Sequence, residues 1–307
     1  MAVLQGPSRK QAELISQELG ESPGDIERGV RDLRSMLAAS PYLPEPEDLD
    51  KRVLELFVRG CRMDLDRARN KLEAYCLARA RFRDLYEHRS LSSPPLNDVC
   101  KFMDIVVLPK LTDEGYRVTI FRIRPEYPES SADIGNAVRA VLLTSDVRMF
   151  DEHQIGGDVF VYEVSHVRGS IVAHVAAAAN AVRRAIQLAQ AAYPQRLKRI
   201  HVVGSPPFLA SSLQLMRNCV NEKIKRRYYL HSKVEELLDH IPAQALPSEW
   251  GGKEETIDVL SKKWRRRIDE VSPYLRMFNE ACSAAPAPVS DVDIYGTVGA
   301  FRKLDID

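Results

Sequence analysis

Between residues 196 and 227 the chain reads RLKRIHVVGSPPFLASSLQLMRNCVNEKIKRR, with basic clusters on either side of an apolar stretch broken by Ser205-Pro206-Pro207. If residues 208–225 form a helix, Leu209, Leu213, Met216 and Val220 fall at i, i+4, i+7 and i+11 as an apolar stripe, widened by Phe208, Leu215 and Cys219. Lys223 and Arg227 then lie one turn apart and can share one anion. The chemistry open to such a segment is physical rather than covalent: covering a hydrophobic ligand and docking on an anionic membrane. The same pattern also fits a core helix with a solvated basic end.

No other constellation assembles an active site. Gly156-Gly157 precedes a strand-like run, whereas a phosphate-cradling loop follows a strand and opens a helix. Ser205 has no GxSxG around it. The seven histidines show no ligand spacing, and His201 falls in a strand-like run, so no metal is expected. The five cysteines are scattered without a CxxC and read as buried free thiols of a reducing compartment. Acidic pairs fall on solvated helix faces. The chain is therefore expected to be no enzyme and to need no cofactor.

These residues need elements to position them. The 307 residues are 45% hydrophobic and 28% charged with a net charge of +1, which fits a globular chain and argues against a dedicated nucleic-acid binder. The N-terminus lacks a signal-peptide pattern and no run approaches a membrane span, so a cytoplasmic protein is expected. Helical periodicity marks residues 11–19, 25–39, 51–61 and 64–86. SLSSPPLND (90–98) reads as a linker. Beyond it, YRVTIFRI (116–123), DVFVYEV (158–164) and 199–203 read as strands, separated by helices over 133–144 and 171–192. Crossovers of that length imply parallel pairing with right-handed connections.

Several motifs occur in order: LFVRGCRMDLDRAR (56–69), LPKLTDEGYRVTIFRIRP (108–125), RIHVVGSP (199–206), NEKIKRR (221–227) and LPSEWGG (246–252). Together they resemble the CRAL-TRIO family of lipid-binding proteins, and the closing GAFRKLDID (299–307) is similar to tails of its tocopherol- and retinaldehyde-binding branch, particularly arthropod members. The resemblance implies an α/β fold in which a mostly parallel sheet floors a hydrophobic cavity under a mobile gate helix. A small all-α domain (1–92) would precede the lipid-binding domain (93–255), and a C-terminal helix and extended tail (256–307) would follow. It implies no catalysis, a small hydrophobic lipid as ligand, and transfer of that lipid between membranes by a monomer that associates with membranes transiently. Members of the branch hold phosphatidylinositol bisphosphate on basic residues near the gate. The matching positions are Arg59, Arg196, Lys198, Lys223 and Arg227, and each keeps its positive charge.

Strand and helix register within that fold implies that Phe160 and Tyr162 line the cavity floor, with Leu188, Tyr193, Leu197 and Ile200 beside them. Phe208, Leu209, Leu213 and Met216 would close the lid. Where the family has an Asp-Leu-Glu-Gly-like segment, this chain has Glu163-Val164-Ser165-His166-Val167-Arg168-Gly169. That loop borders the cavity, so tocopherol, retinoid, carotenoid, other terpenoid and phospholipid all stay open as cargo. A lipid-sensing regulatory module is the competing class.

Overall fold

The computed structural model describes residues 3–22, 24–38, 40, 43–44, 49–92, 94–152, 154–209 and 225–284. Helices α1 (Arg9–Leu19), α2 (Asp25–Leu37), α3 (Lys51–Gly60), α4 (Leu65–Arg81), α5 (Arg83–Tyr86) and α6 (Leu96–Phe102) come first. Local chemistry sets their ends. Ser8 and Gln11 form a reciprocal capping box at the start of α1, and Gly20 closes it at φ 69°. Asp50 and Asp64 cap α3 and α4. The expected linker 90–98 already contains the start of α6, because Leu96 and Val99 are buried and recruit that turn into the core.

Five strands then form one sheet in chain order: β1 (Met103–Leu111), β2 (Tyr116–Ile123), β3 (Gly157–Glu163), β4 (Leu197–Val203) and β5 (Tyr228–His231). β2 through β5 pair in parallel, whereas β1 and β2 are antiparallel. Helix α7 (Ile134–Asp151) joins β2 to β3, and α8 (Gly169–Ala177) with α9 (Ala179–Ala192) joins β3 to β4. Helix α10 (Ile257–Ala284) packs on β1, α4 and α7.

Three sequence expectations change here. β1 was not expected because Pro109 interrupts its apolar run; it is an edge strand whose register shifts between Val107 and Leu111, which is where a proline is tolerated. β5 has only four residues, too few to reveal a period. The alanine-rich stretch 171–192 is two helices, because Ala178 leaves helical geometry at φ −92°, ψ 13°. Its small side chains fix no direction, so burial of Ile171 in one half and of Leu188 and Ala192 in the other decides it.

The joint between the N-terminal helices and the crossover helices α7 and α9 is polar and buried. Asp146 on α7 accepts from the Tyr75 hydroxyl at 2.9 Å and the Tyr193 hydroxyl at 2.7 Å. It also pairs with Arg79 and Arg89, each at 2.7 Å. The Arg79 guanidinium lies 3.5 Å from the Tyr75 ring centroid and 4.6 Å from that of Tyr86, so π faces share the surplus positive charge. Burial would raise the Asp146 pKa, but Arg79 and Arg89 outweigh it and hold the carboxyl below its usual range. Nearby, the Lys71 ammonium donates to the carbonyls of Gln190 and Tyr193 at the C-terminal end of α9.

Replacing Asp146 with Ala strands two buried cations and should cost about 3–5 kcal/mol in urea unfolding. A carboxyl depressed on folding stabilises above the ordinary aspartate range and loses that contribution as pH falls through the depressed value. Wild type should therefore lose stability from this group only in acid, and Asp146→Asn should flatten that limb of the pH profile. At the end of α3, a Cβ on Gly60 would meet the Pro194 carbonyl oxygen at 2.1 Å. Gly60→Ala should cost about 1–3 kcal/mol in the same assay.

Candidate functional site

Side chains alternate across a strand, so β3 presents Val159 and Val161 to one face of the sheet and Phe160 and Tyr162 to the other. Val159 and Val161 are fully buried in the main core. On the second face, register builds two cross-strand rows: Thr119, Phe160, Ile200 and Tyr228, then Phe121, Tyr162, Val202 and Leu230. Phe121 stacks on Tyr162 at 4.8 Å and 14°, and meets Phe160 edge-on at 5.6 Å. Phe160, Tyr162 and Ile200 are only half-buried, and Leu230 is 57% exposed. This face is an apolar floor whose aromatic rings are fixed by one another. Burial pushes the Tyr162 phenol up to about 12, with Tyr228 adding to it, so it stays neutral and can donate a hydrogen bond.

The other expected lining residues lie in different settings. Leu188 and Tyr193 are buried in the main core, and the Tyr193 hydroxyl is committed to Asp146. Leu197 is half-buried at the start of β4. Phe208 is 53% exposed and Leu209 buried in the turn Pro207–Leu209 that follows β4. Leu213, Met216 and Lys223 lie outside the described residues. Phe121, Val202, Tyr228 and Leu230 were not foreseen, although the alternation in YRVTIFRI was enough to place Phe121.

Of the basic residues, Arg59, Arg196, Lys198 and Arg227 gather near the N-terminal ends of β3 and β4. Arg59 and Arg196 line one small pocket with Gly60, Arg148, Glu152 and Pro194. Its volume is about 40 Å³, enough for ordered water and far below the roughly 300–1,000 Å³ of a ligand cavity. The cargo therefore has no room there. Arg196 is 4% exposed; its guanidinium donates to the Gly156 carbonyl at 3.1 Å and to Glu18 at 3.1 Å. Lys198 also binds Glu18, and Arg59 pairs with Glu21 at 3.5 Å. Arg227 donates to the Leu197 carbonyl and adds positive potential at Lys198.

Burial, against the pull of Glu18, lowers the pKa of both Arg196 and Lys198. Burial raises Glu18, but Lys198 and Arg196 outweigh that and leave it low. The cluster is thus a half-buried set of cations already holding two carboxylates, one from α1 and one from the turn after it. Sequence reading found the cations and missed Glu18 and Glu21. Chemically, the arrangement sets paired cations beside an apolar surface. Among the described residues, no helix is long and apolar enough to cross a membrane.

A CRAL/TRIO domain profile matches residues 101–252, which span all five strands. The mouse "Alpha-tocopherol transfer protein-like" is 30% identical over 249 residues, covering 80% of this chain and 70% of that one. Mouse Clavesin-2 is 24% identical over 296 residues, covering 94% and 86%. The solved structure of Sfh5 superposes with a TM-score of 0.42 at 13% identity, covering 88% of this chain and 99% of that one. On the profile match and on the relative that is 30% identical over 70% of its own length, this chain belongs to the CRAL/TRIO family.

Proposed function

We propose that this chain is a carrier that holds a small hydrophobic lipid, of tocopherol, retinoid or other terpenoid type, and moves it between membranes. The observation that carries this reading is the two-row apolar face built on Phe121, Phe160, Tyr162, Ile200 and Val202. The relatives named for tocopherol transfer agree with it. Residues 1–92 would act as a helical unit, 93–255 as the lipid-binding unit and 256–307 as a C-terminal helix and tail. The carrier would work as a monomer in the cytoplasm and meet membranes transiently.

Transfer through water is slow for a simple reason. Each methylene exposed costs about 0.8 kcal/mol, so a lipid of about twenty apolar carbons faces on the order of 15 kcal/mol on desorption. An apolar floor removes that cost, and Tyr162 can meet one polar atom of the ligand. Release then needs a signal found only at the membrane. In this reading phosphatidylinositol bisphosphate supplies it, by engaging Arg59, Arg196, Lys198, Lys223 and Arg227 through charge-assisted bonds. Glu18 and Glu21 pair with part of that cluster, so a headgroup would compete with them.

Transfer of a fluorescent tocopherol between vesicles, with and without phosphatidylinositol bisphosphate in the acceptor, tests the proposal. Replacing Lys198, Lys223 and Arg227 with Ala should cut vesicle binding and transfer at least tenfold while ligand binding stays intact, since each cation near an anionic surface contributes about 1 kcal/mol. Unchanged transfer would sink the release mechanism. Ligand binding without repeated transfer would instead point to a lipid sensor. Glu18→Gln should tighten binding to the same vesicles roughly fivefold, in keeping with one unit of charge at that surface. Weaker binding would show that Glu18 organises the cluster rather than shielding it.

A further inference from the structure

Away from the apolar floor, three histidines converge at the β5 edge of the sheet. His201 lies in β4, His231 ends β5, and His240 follows the helical turn Val234–Asp239. His201 Nδ1 and His231 Nε2 are 2.8 Å apart. The rings of His201 and His240 have centroids 5.1 Å apart, and those of His231 and His240 are 5.3 Å apart. One ring nitrogen from each residue falls within 4.8 Å of the other two. The fold creates this group: register sets Val203 beside His231, so His201 and His231 share a face of adjacent strands, and the turn brings His240 back against both.

We propose that His201, His231 and His240 form a binding site for one divalent transition-metal ion of the zinc class. Three imidazoles with no carboxylate or thiolate among them are a donor set that suits Zn²⁺, Ni²⁺ and Cu²⁺ and not Ca²⁺ or Mg²⁺. Tetrahedral bonds of about 2.0–2.1 Å place ligand nitrogens roughly 3.3 Å apart. At 2.8 Å, His201 Nδ1 and His231 Nε2 would open by about 0.5 Å to share an ion, and one nitrogen of each of the three residues lies within 4.8 Å of the others.

One further observation favours a ligand over plain packing. His231 points Nδ1 at Glu236 Oε2, 3.5 Å away, leaving Nε2 toward the cluster; a carboxylate behind a histidine is the usual support of a metal ligand. Tyr229 stacks on His201 at 5.1 Å and 16° and steadies its plane. Three protein ligands leave the fourth position to water. An ion here would tie β5 and the turn after it to β4, on the face opposite Tyr228 and Leu230.

The site is independent of lipid carriage and is tested without it. The full chain, stripped with a chelator and titrated with Co²⁺, should develop the visible absorption of tetrahedral cobalt, saturating at one equivalent and displaced by Zn²⁺. His240 is the least buried of the three, so His240→Gln should keep the fold by circular dichroism and weaken Co²⁺ binding at least tenfold. His166→Gln, an exposed histidine outside the group, should leave it unchanged. In wild type, Zn²⁺ should shift the imidazole resonances of His201, His231 and His240 and spare His166 and His174. Absence of saturable one-equivalent binding, unchanged affinity in His240→Gln, or shifts confined to His166 and His174 would each overturn the proposal.

Discussion

The carboxylate of Asp146 is the point on which the two parts of the molecule meet. It is fully buried on α7, and its partners come from α4, from the segment carrying Arg89 and from Tyr193 at the end of α9. A buried charge of this kind is tolerated only when each of its lone pairs is used, and here two guanidiniums and two phenols use them. The surplus cation is spread over the rings of Tyr75, Tyr86 and Phe278. Its directional bonds add to the apolar contacts between the N-terminal helices and the rest of the molecule, which fix distance better than orientation. The joint gives orientation, and the position of α3 follows from it. Arg59 and Gly60 are thereby held against Pro194 and Arg196.

The apolar floor and the basic cluster use the same strands for opposite purposes. β3 and β4 begin beside cations and carry aromatic and aliphatic side chains further along. Their N-terminal ends are charged and their middle is apolar. Glu18 and Glu21 complete the charged end and pair with three of its cations, Arg59, Arg196 and Lys198. That pairing weakens the local positive field.

Much of this was legible in the sequence, and the limits have physical causes. Phe160 and Tyr162 could be placed because DVFVYEV alternates cleanly, and the parallel crossovers could be placed because the intervening helices are long. β1 escaped notice through Pro109, and β5 because four residues show no period. Register within the resembled fold implies Tyr193 beside the floor, whereas its hydroxyl bonds an aspartate 47 residues upstream that no local pattern reveals. The cations were visible as charges, but their partners were not: Glu18 lies 178 residues from Arg196 and 180 from Lys198. His201 and His231 are 30 residues apart, beyond any contiguous ligand motif, and only strand register joins them.

The order of the strands has a consequence for how the molecule is made. Because β1 to β5 neighbour one another in chain order, each strand can dock on the one before it as it leaves the ribosome, with little search for distant partners. The helices at the N-terminus cannot finish so early, since Arg79 and Arg89 must wait for Asp146, and Tyr75 packs on Tyr193. The edge formed by Tyr228–His231 arrives last among the strands. A nascent chain of this protein thus builds its floor from one side to the other, and the strip carrying Tyr228 and Leu230 is added after the other four strands.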